Sequence, residues 1–108
     1  MGRAGVGSLR GMATLDLDEQ ELWQKILAYS GESFLTAKGL SFTYTVRGAE
    51  MFVDRKEKSI TRATVLLAYR RACELGGIVP GPKALGVFGA SYLYPVFREI
   101  GVIMESSV

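Results

Sequence analysis

The chain has 108 residues, a mass of 11.8 kDa, a 48% apolar and 22% charged composition and a formal net charge of +2. That is the length of one domain with one modest core, and the composition is too apolar for a disordered chain. No histidine and a single cysteine are present, which excludes Ser-His-Asp and Cys-His catalytic sets, a zinc site built from four Cys or His ligands, and an internal disulfide.

No apolar run reaches the ~18 residues of a membrane span. The opening MGRAGVGSLRGM is Gly-rich and basic, with too short an apolar stretch for a secretion signal. Residues 1–13 read as a disordered arm or expression scar, with Met12 a candidate native start, and residues 105–108 as a frayed tail. The domain proper is expected over residues 14–104, in the cytoplasm. Cys73 reads as a small buried hydrophobe in a helix, consistent with a reducing compartment.

The first predicted element is a helix over about Asp18–Tyr29. Asp16 or Asp18 can cap it, its first turn is acidic, and Leu22, Trp23, Ile26 and Leu27 recur at helical spacing. Gly31 is a plausible stop. From Leu40 to Val46 the chain alternates, with Leu40, Phe42, Tyr44 and Val46 on one side and Ser41, Thr43 and Thr45 on the other. That pattern predicts a half-buried strand whose hydroxyl side faces water or a partner. Arg47-Gly48-Ala49 reads as a turn and Met51-Phe52-Val53 as a second strand, which makes a hairpin.

After the charged turn DRKEKS, Ser59 can cap a long helix over about Ile60–Leu75. Val65, Leu66, Tyr69, Ala72 and Cys73 form its stripe, and Gly76-Gly77 stops it. Ile78-Val79 is a short apolar stretch ended by Pro80. Pro82 suits the first turn of a short helix over Lys83–Leu85. Ala90-Ser91 can cap a last helix running to about Ile100, in which Pro95 is tolerable only in the first turn or at a break after Tyr94. Gly101 ends it, and Val102-Ile103-Met104 reads as a final strand. The fold class is α+β: a small single domain ordered as helix, β-hairpin, long helix and short helical C-terminal segment.

The charge is unevenly placed. Residues 14–36 carry Asp16, Asp18, Glu19, Glu21 and Glu32 against Lys25, a net of −4. Residues 47–71 carry Arg47, Arg55, Lys56, Lys58, Arg62, Arg70 and Arg71 against Glu50, Asp54 and Glu57, a net of +4. Bases flanking a hydroxyl-bearing strand can neutralise phosphates and release counterions, so these seven are the candidate nucleic-acid contacts. A solvated surface is the bland reading of the same charges. A second candidate surface is aromatic: Phe88, Tyr92, Tyr94 and Phe97 fall within ten residues, tightly enough that some are expected at an interface, where tyrosines are favoured. With a mean hydropathy of +0.18, this surface makes a homodimer an expectation.

Three further motifs are weaker. The run ITRATVLLAYRRA resembles the recognition helix of bacterial repressors, but the preceding FVDRKEKS predicts strand and turn rather than a partner helix. Placing the reader at ASYLYPVFREIGVI puts Pro95 inside it. LGVFGAS begins like a dinucleotide fingerprint, yet Tyr92 stands at the third glycine position and the remaining residues are too few for a βαβ unit. Asp54-Arg55-Lys56 satisfies the bare D-x-K pattern of metal-dependent nucleases, with Glu50 and Glu32 as the nearest acids, but the strand 40–46 carries none.

The residues therefore point to a non-catalytic binding domain that needs no cofactor or metal. A nucleic-acid-binding module, with a regulatory role open to it, is the first reading. A protein-interaction or self-assembly module built on the aromatic segment is the alternative.

Overall fold

The computed structural model describes residues 17–105. The expected N-terminal arm, the Asp16 alternative for the first cap and residues 106–108 of the expected tail lie outside them.

Helix α1 spans Glu19–Ala28. Its start is a capping box: the Asp18 carboxylate accepts from the Glu21 N–H (2.8 Å), and Glu21 Oε1 accepts from the Asp18 N–H (3.0 Å). Leu22, Trp23 and Ile26 are buried, whereas Leu27, at the margin of the stripe, is exposed. At Gly31, φ is 94° and the N–H donates to the Tyr44 carbonyl (2.8 Å), which turns the chain into a strand that periodicity does not reveal.

That strand is β1 (Ser33–Leu35), followed by β2 (Ser41–Arg47), β3 (Glu50–Val53) and β4 (Ile60–Thr61), all antiparallel neighbours in the order β1-β2-β3-β4. The register pairs Phe34 with Phe42, Tyr44 with Val53, and Met51 with both Val46 and Ile60. The inner face therefore carries Phe34, Phe42, Tyr44, Met51, Val53 and Ile60, all buried. The outer face carries Ser33, Ser41, Thr43, Thr45 and Phe52, as the alternation along β2 requires. Leu40 departs from that alternation. It precedes the strand, tied to Thr36 in a tight turn (Thr36 N–H to the Leu40 carbonyl, 2.9 Å; Leu40 N–H to Thr36 Oγ1, 3.0 Å), and is exposed.

The long helix α2 spans Arg62–Glu74 and starts two residues later than predicted. Ile60 and Thr61 are drawn into the sheet beside Met51 and Glu50, and Thr61, not Ser59, is the cap, accepting from the Thr64 N–H (3.2 Å). The Ser59 hydroxyl instead donates to the Glu50 carboxylate (2.5 Å). Val65, Leu66, Ala68, Tyr69 and Ala72 form the buried stripe. Cys73, expected inside, is only half-buried at its edge.

After Gly76-Gly77, β5 (Ile78–Val79) pairs in parallel with β6 (Met104–Glu105), so the closing strand lies later than 102–104, and Val102 and Ile103 are core residues instead. A 3-10 turn over Pro82–Leu85 leads to helix α3 (Ala90–Glu99). Pro95 sits inside α3, neither in its first turn nor at a break as expected, although its ring nitrogen cannot donate to the Ser91 carbonyl. Nor does Ala90 or Ser91 cap the helix: the cap position is Gly89, and no side-chain hydrogen bond closes it.

α1 packs on β2, α3 on β1, and α2 on β4 and α3, so one face of the sheet is covered. Among the described residues, three α-helices packed against an antiparallel sheet make a small α+β domain. Three of the buried core residues are tyrosines, which bring polar atoms into the core. The hydroxyls of Tyr44, Tyr69 and Tyr94 donate to the carbonyls of Ile26 (2.7 Å), Leu17 (3.1 Å) and Val79 (2.9 Å). Each ring is buried while its polar tip finds a backbone acceptor. Among the described residues no helix is long and apolar enough to cross a membrane.

Candidate functional site

The seven bases make different contacts. Arg70 is ion-paired to Glu19 of α1, and Arg71 to Glu74 (3.2 Å), with a further bond from Arg71 Nε to the Ala84 carbonyl (3.1 Å). Arg62 is half-buried with its guanidinium 5.9 Å from the Trp23 ring, and its Nε is buried without a hydrogen-bond partner among the described residues. Each of these three arginines of α2 thus has an intramolecular neighbour, although Arg70 and Arg71 remain exposed. Arg47 lies over the Phe52 ring (4.2 Å), and Arg55 Nε donates to the Ser41 carbonyl (2.7 Å), which places both along the hairpin.

Lys56 and Lys58 are different. Both are exposed on the turn between β3 and β4, and both ammonium groups converge on one ring from the C-terminal segment. Lys56 Nζ is 5.0 Å and Lys58 Nζ 4.9 Å from the Phe88 centroid, and Lys56 Nζ is 6.0 Å from the Tyr92 centroid. Cations at these distances are attracted by the ring quadrupole. Phe88 is 39% exposed, a large apolar ring at the surface. Tyr92 is half-buried, held edge-on against Phe42 with centroids 5.0 Å apart.

The glycines around Phe88 fix this arrangement. Gly86 (φ 65°) closes the 3-10 turn and Gly89 (φ 80°) opens α3. A Cβ on Gly89 would lie 2.8 Å from Cγ1 of the buried Ile60 and closer still to its Cδ1. The backbone after Phe88 thus sits hard against β4, close to where the lysine-bearing turn rejoins the sheet. The motif LGVFGAS serves as a pair of turns, not as a phosphate loop.

Of the four aromatic side chains singled out in the sequence, two lie in the core. Tyr94 is 3% and Phe97 0% exposed, because both lie on the face of α3 turned to the core. They leave Phe88 and part of Tyr92 to face outward. Two further bases belong with them that charge counting along the chain does not single out. Lys83 lines a hollow of about 340 Å³ together with Lys56, Tyr92 and Ser91. Lys83 also lines, with Lys38, an adjoining groove of about 820 Å³. Neither lining includes an acid. Glu57 stands between the two lysines of the turn and forms no ion pair among the described residues.

The nuclease motif is taken up in structure. The Asp54 carboxylate accepts from the Thr43 N–H (3.1 Å), and Glu50 is bonded to Ser59. No group of three acidic, cysteine or histidine side chains that could hold a metal occurs among the described residues. The repressor-like run is also accounted for, since α2 follows strands β3 and β4 rather than a partner helix. Comparison with protein-family models, with curated proteins and with solved structures finds no match.

Proposed function

We propose that this domain binds single-stranded nucleic acid on the surface formed by Lys56, Lys58, Phe88, Tyr92 and Lys83. The observation that carries the reading is the convergence of two exposed lysines on one exposed phenylalanine ring, from segments about 30 residues apart. A cationic surface that tracks phosphates, interleaved with aromatic rings on which bases stack, is how single strands are held without sequence preference. The site is smaller than the seven-base patch and displaced from it: Arg62, Arg70 and Arg71 drop out, and Lys83 joins. Arg47 and Arg55 extend the path along the outer sheet face, beside the hydroxyls of Thr43 and Thr45, which add phosphate hydrogen bonds. No catalytic role is assigned to the domain, and a cytoplasmic location and a homodimer are part of the same proposal. The exposed Ile78 and Met104, paired side by side on β5 and β6, are the apolar contact on which such a dimer would rest.

The test is fluorescence anisotropy with a labelled single strand at low salt. Binding that weakens linearly in log salt, and weakens further in Lys56→Gln/Lys58→Gln, supports the reading. No binding at low salt, or binding without a salt slope, ends it.

A further inference from the structure

The groove next to the lysine–aromatic cluster is large for a molecule of this size, about 820 Å³, within the range of ligand-binding clefts. One wall is the β1–β2 turn, with Ala37, Lys38 and Leu40. The other is Pro80, Pro82 and Tyr92. Its surface is mainly apolar, two lysines, Lys38 and Lys83, are among its lining, and no carboxylate lines it. Tyr92 and Lys83 line both this groove and the smaller hollow containing Lys56, so the groove continues the cluster.

We propose that the groove receives a base of the bound single strand, while the phosphates on either side lie along Lys56, Lys83 and Lys38. This rests on the nucleic-acid reading of the neighbouring surface. A nucleobase has apolar faces and is joined on both sides to phosphates, so it matches apolar walls with more than one lysine among them. A single anionic headgroup on a hydrocarbon chain would use the walls but leave most of the lysines without a counter-charge. A duplex keeps its bases stacked and has none to offer unless one is flipped out at an unstacking cost of a few kcal/mol. Binding is therefore expected to require unpaired bases, not charge alone.

The experiment compares three labelled ligands of equal strand length: oligothymidylate, the same backbone made of abasic units, and the paired duplex. Each is titrated against the wild-type protein and Ala37→Trp. Ala37 is exposed on the turn and lines the groove, so the indole takes up groove volume without changing charge. The expected result is oligothymidylate binding at least about 10-fold tighter than the abasic strand. Ala37→Trp should weaken oligothymidylate about 5-fold or more and leave the abasic strand unchanged. Leu40→Ala, which removes an exposed apolar wall, should shift affinity in the same direction. Equal affinity of wild type for both single strands, or an Ala37→Trp protein that binds oligothymidylate like wild type, overturns the base site while leaving polyanion binding intact. Loss of both single strands in equal measure in Ala37→Trp also overturns it. Failure of wild type to bind any of the three at low salt overturns the nucleic-acid reading itself.

Discussion

The Lys58 ammonium group, on the turn between β3 and β4, stands 4.9 Å from the centre of the Phe88 ring, which follows about 30 residues later in the chain. With Lys56 at 5.0 Å it brings two ammonium groups over one exposed ring, in cation–π contact that a stacking base would have to displace on at least one side. Replacing both lysines by glutamine should weaken single-strand binding and flatten its salt dependence. Each lost phosphate contact lowers the log–log slope by about 0.7 for a single strand, so the double variant should lose about 1.4. Titrations between low and moderate salt measure this directly, and an unchanged slope would place the contacts elsewhere.

Phe88→Ala separates stacking from charge. The ring is exposed and outside the core, so the variant should fold with little loss of stability. Base-aromatic stacking contributes about 1–3 kcal/mol per base, which corresponds to roughly a 5- to 150-fold loss of affinity for a strand with bases. The salt slope should stay that of wild type, because no phosphate contact is removed. A Phe88→Ala protein that binds like wild type would leave Phe88 with no part in recognition.

Much of the fold is legible in the chain and much of the site is not, for one physical reason. The alternation along Phe42, Tyr44 and Val46 sets the faces of β2, and the glycine pair at 76–77 marks the end of α2, because both are local signals. Strand β1 has three residues with only Phe34 buried, too few to show a period of two. Ile60-Thr61 extends the helical run in sequence but belongs to the sheet, because Met51 and Glu50 offer it a hydrogen-bonding edge. Charge counting gathers Arg70 with Lys56, although the partner that occupies Arg70 is Glu19, 51 residues away. Lys38 and Lys83 escape such counting because each is isolated in sequence and meets the cluster only through packing. In the same way, helical phase buries Tyr94 and Phe97 but leaves Tyr92 half outside.

Arg70→Gln and Arg71→Gln are therefore expected to leave nucleic-acid affinity within about twofold of wild type. Both guanidinium groups already have carboxylate partners at the surface, Glu19 of α1 for Arg70 and Glu74 of α2 for Arg71. Such surface pairs contribute about 0–1 kcal/mol, so stability should barely move either. A large affinity loss in either variant, measured by the same anisotropy titration, would restore the broad seven-base surface.

Tyr44 links the sheet to α1. Its hydroxyl donates to the Ile26 carbonyl in the last turn of the helix, inside the core. Tyr44→Phe leaves that carbonyl without its donor and should cost about 1–3 kcal/mol in chemical denaturation. Burial also pushes the hydroxyl's pKa well above its ordinary value of 10.0, with smaller upward contributions from Tyr29 and Glu32. A raised folded-state pKa means that the unfolded chain releases this proton first. The stabilisation is complete below about pH 10 and declines as the pH rises from there towards the folded value. The stability difference between wild type and Tyr44→Phe should therefore be constant at neutral pH and shrink in the alkaline limb. A difference that grows above pH 10 would contradict the bonded geometry.

Gly89 is the position where backbone conformation and close packing act together. Its φ of 80° disfavours any residue with a Cβ, and that Cβ would lie 2.8 Å from Cγ1 of Ile60 and closer still to Cδ1. Gly89→Ala should cost about 1–3 kcal/mol from the backbone alone, with a further penalty from displacing a buried isoleucine. The two contributions can be separated. Ile60→Val removes Cδ1, so in its background the steric part of the Gly89→Ala penalty should shrink while the backbone part remains. Thermal or chemical denaturation of the four proteins in this cycle gives a coupling energy whose sign tests the contact. Gly89 also directly follows Phe88, so a backbone shift that accommodates the methyl group would disturb the ring's position relative to Lys56 and Lys58. At temperatures where Gly89→Ala is still folded, it should therefore bind single strands more weakly than wild type. If it binds as wild type does, the ring's position does not depend on the close approach of Gly89 to Ile60.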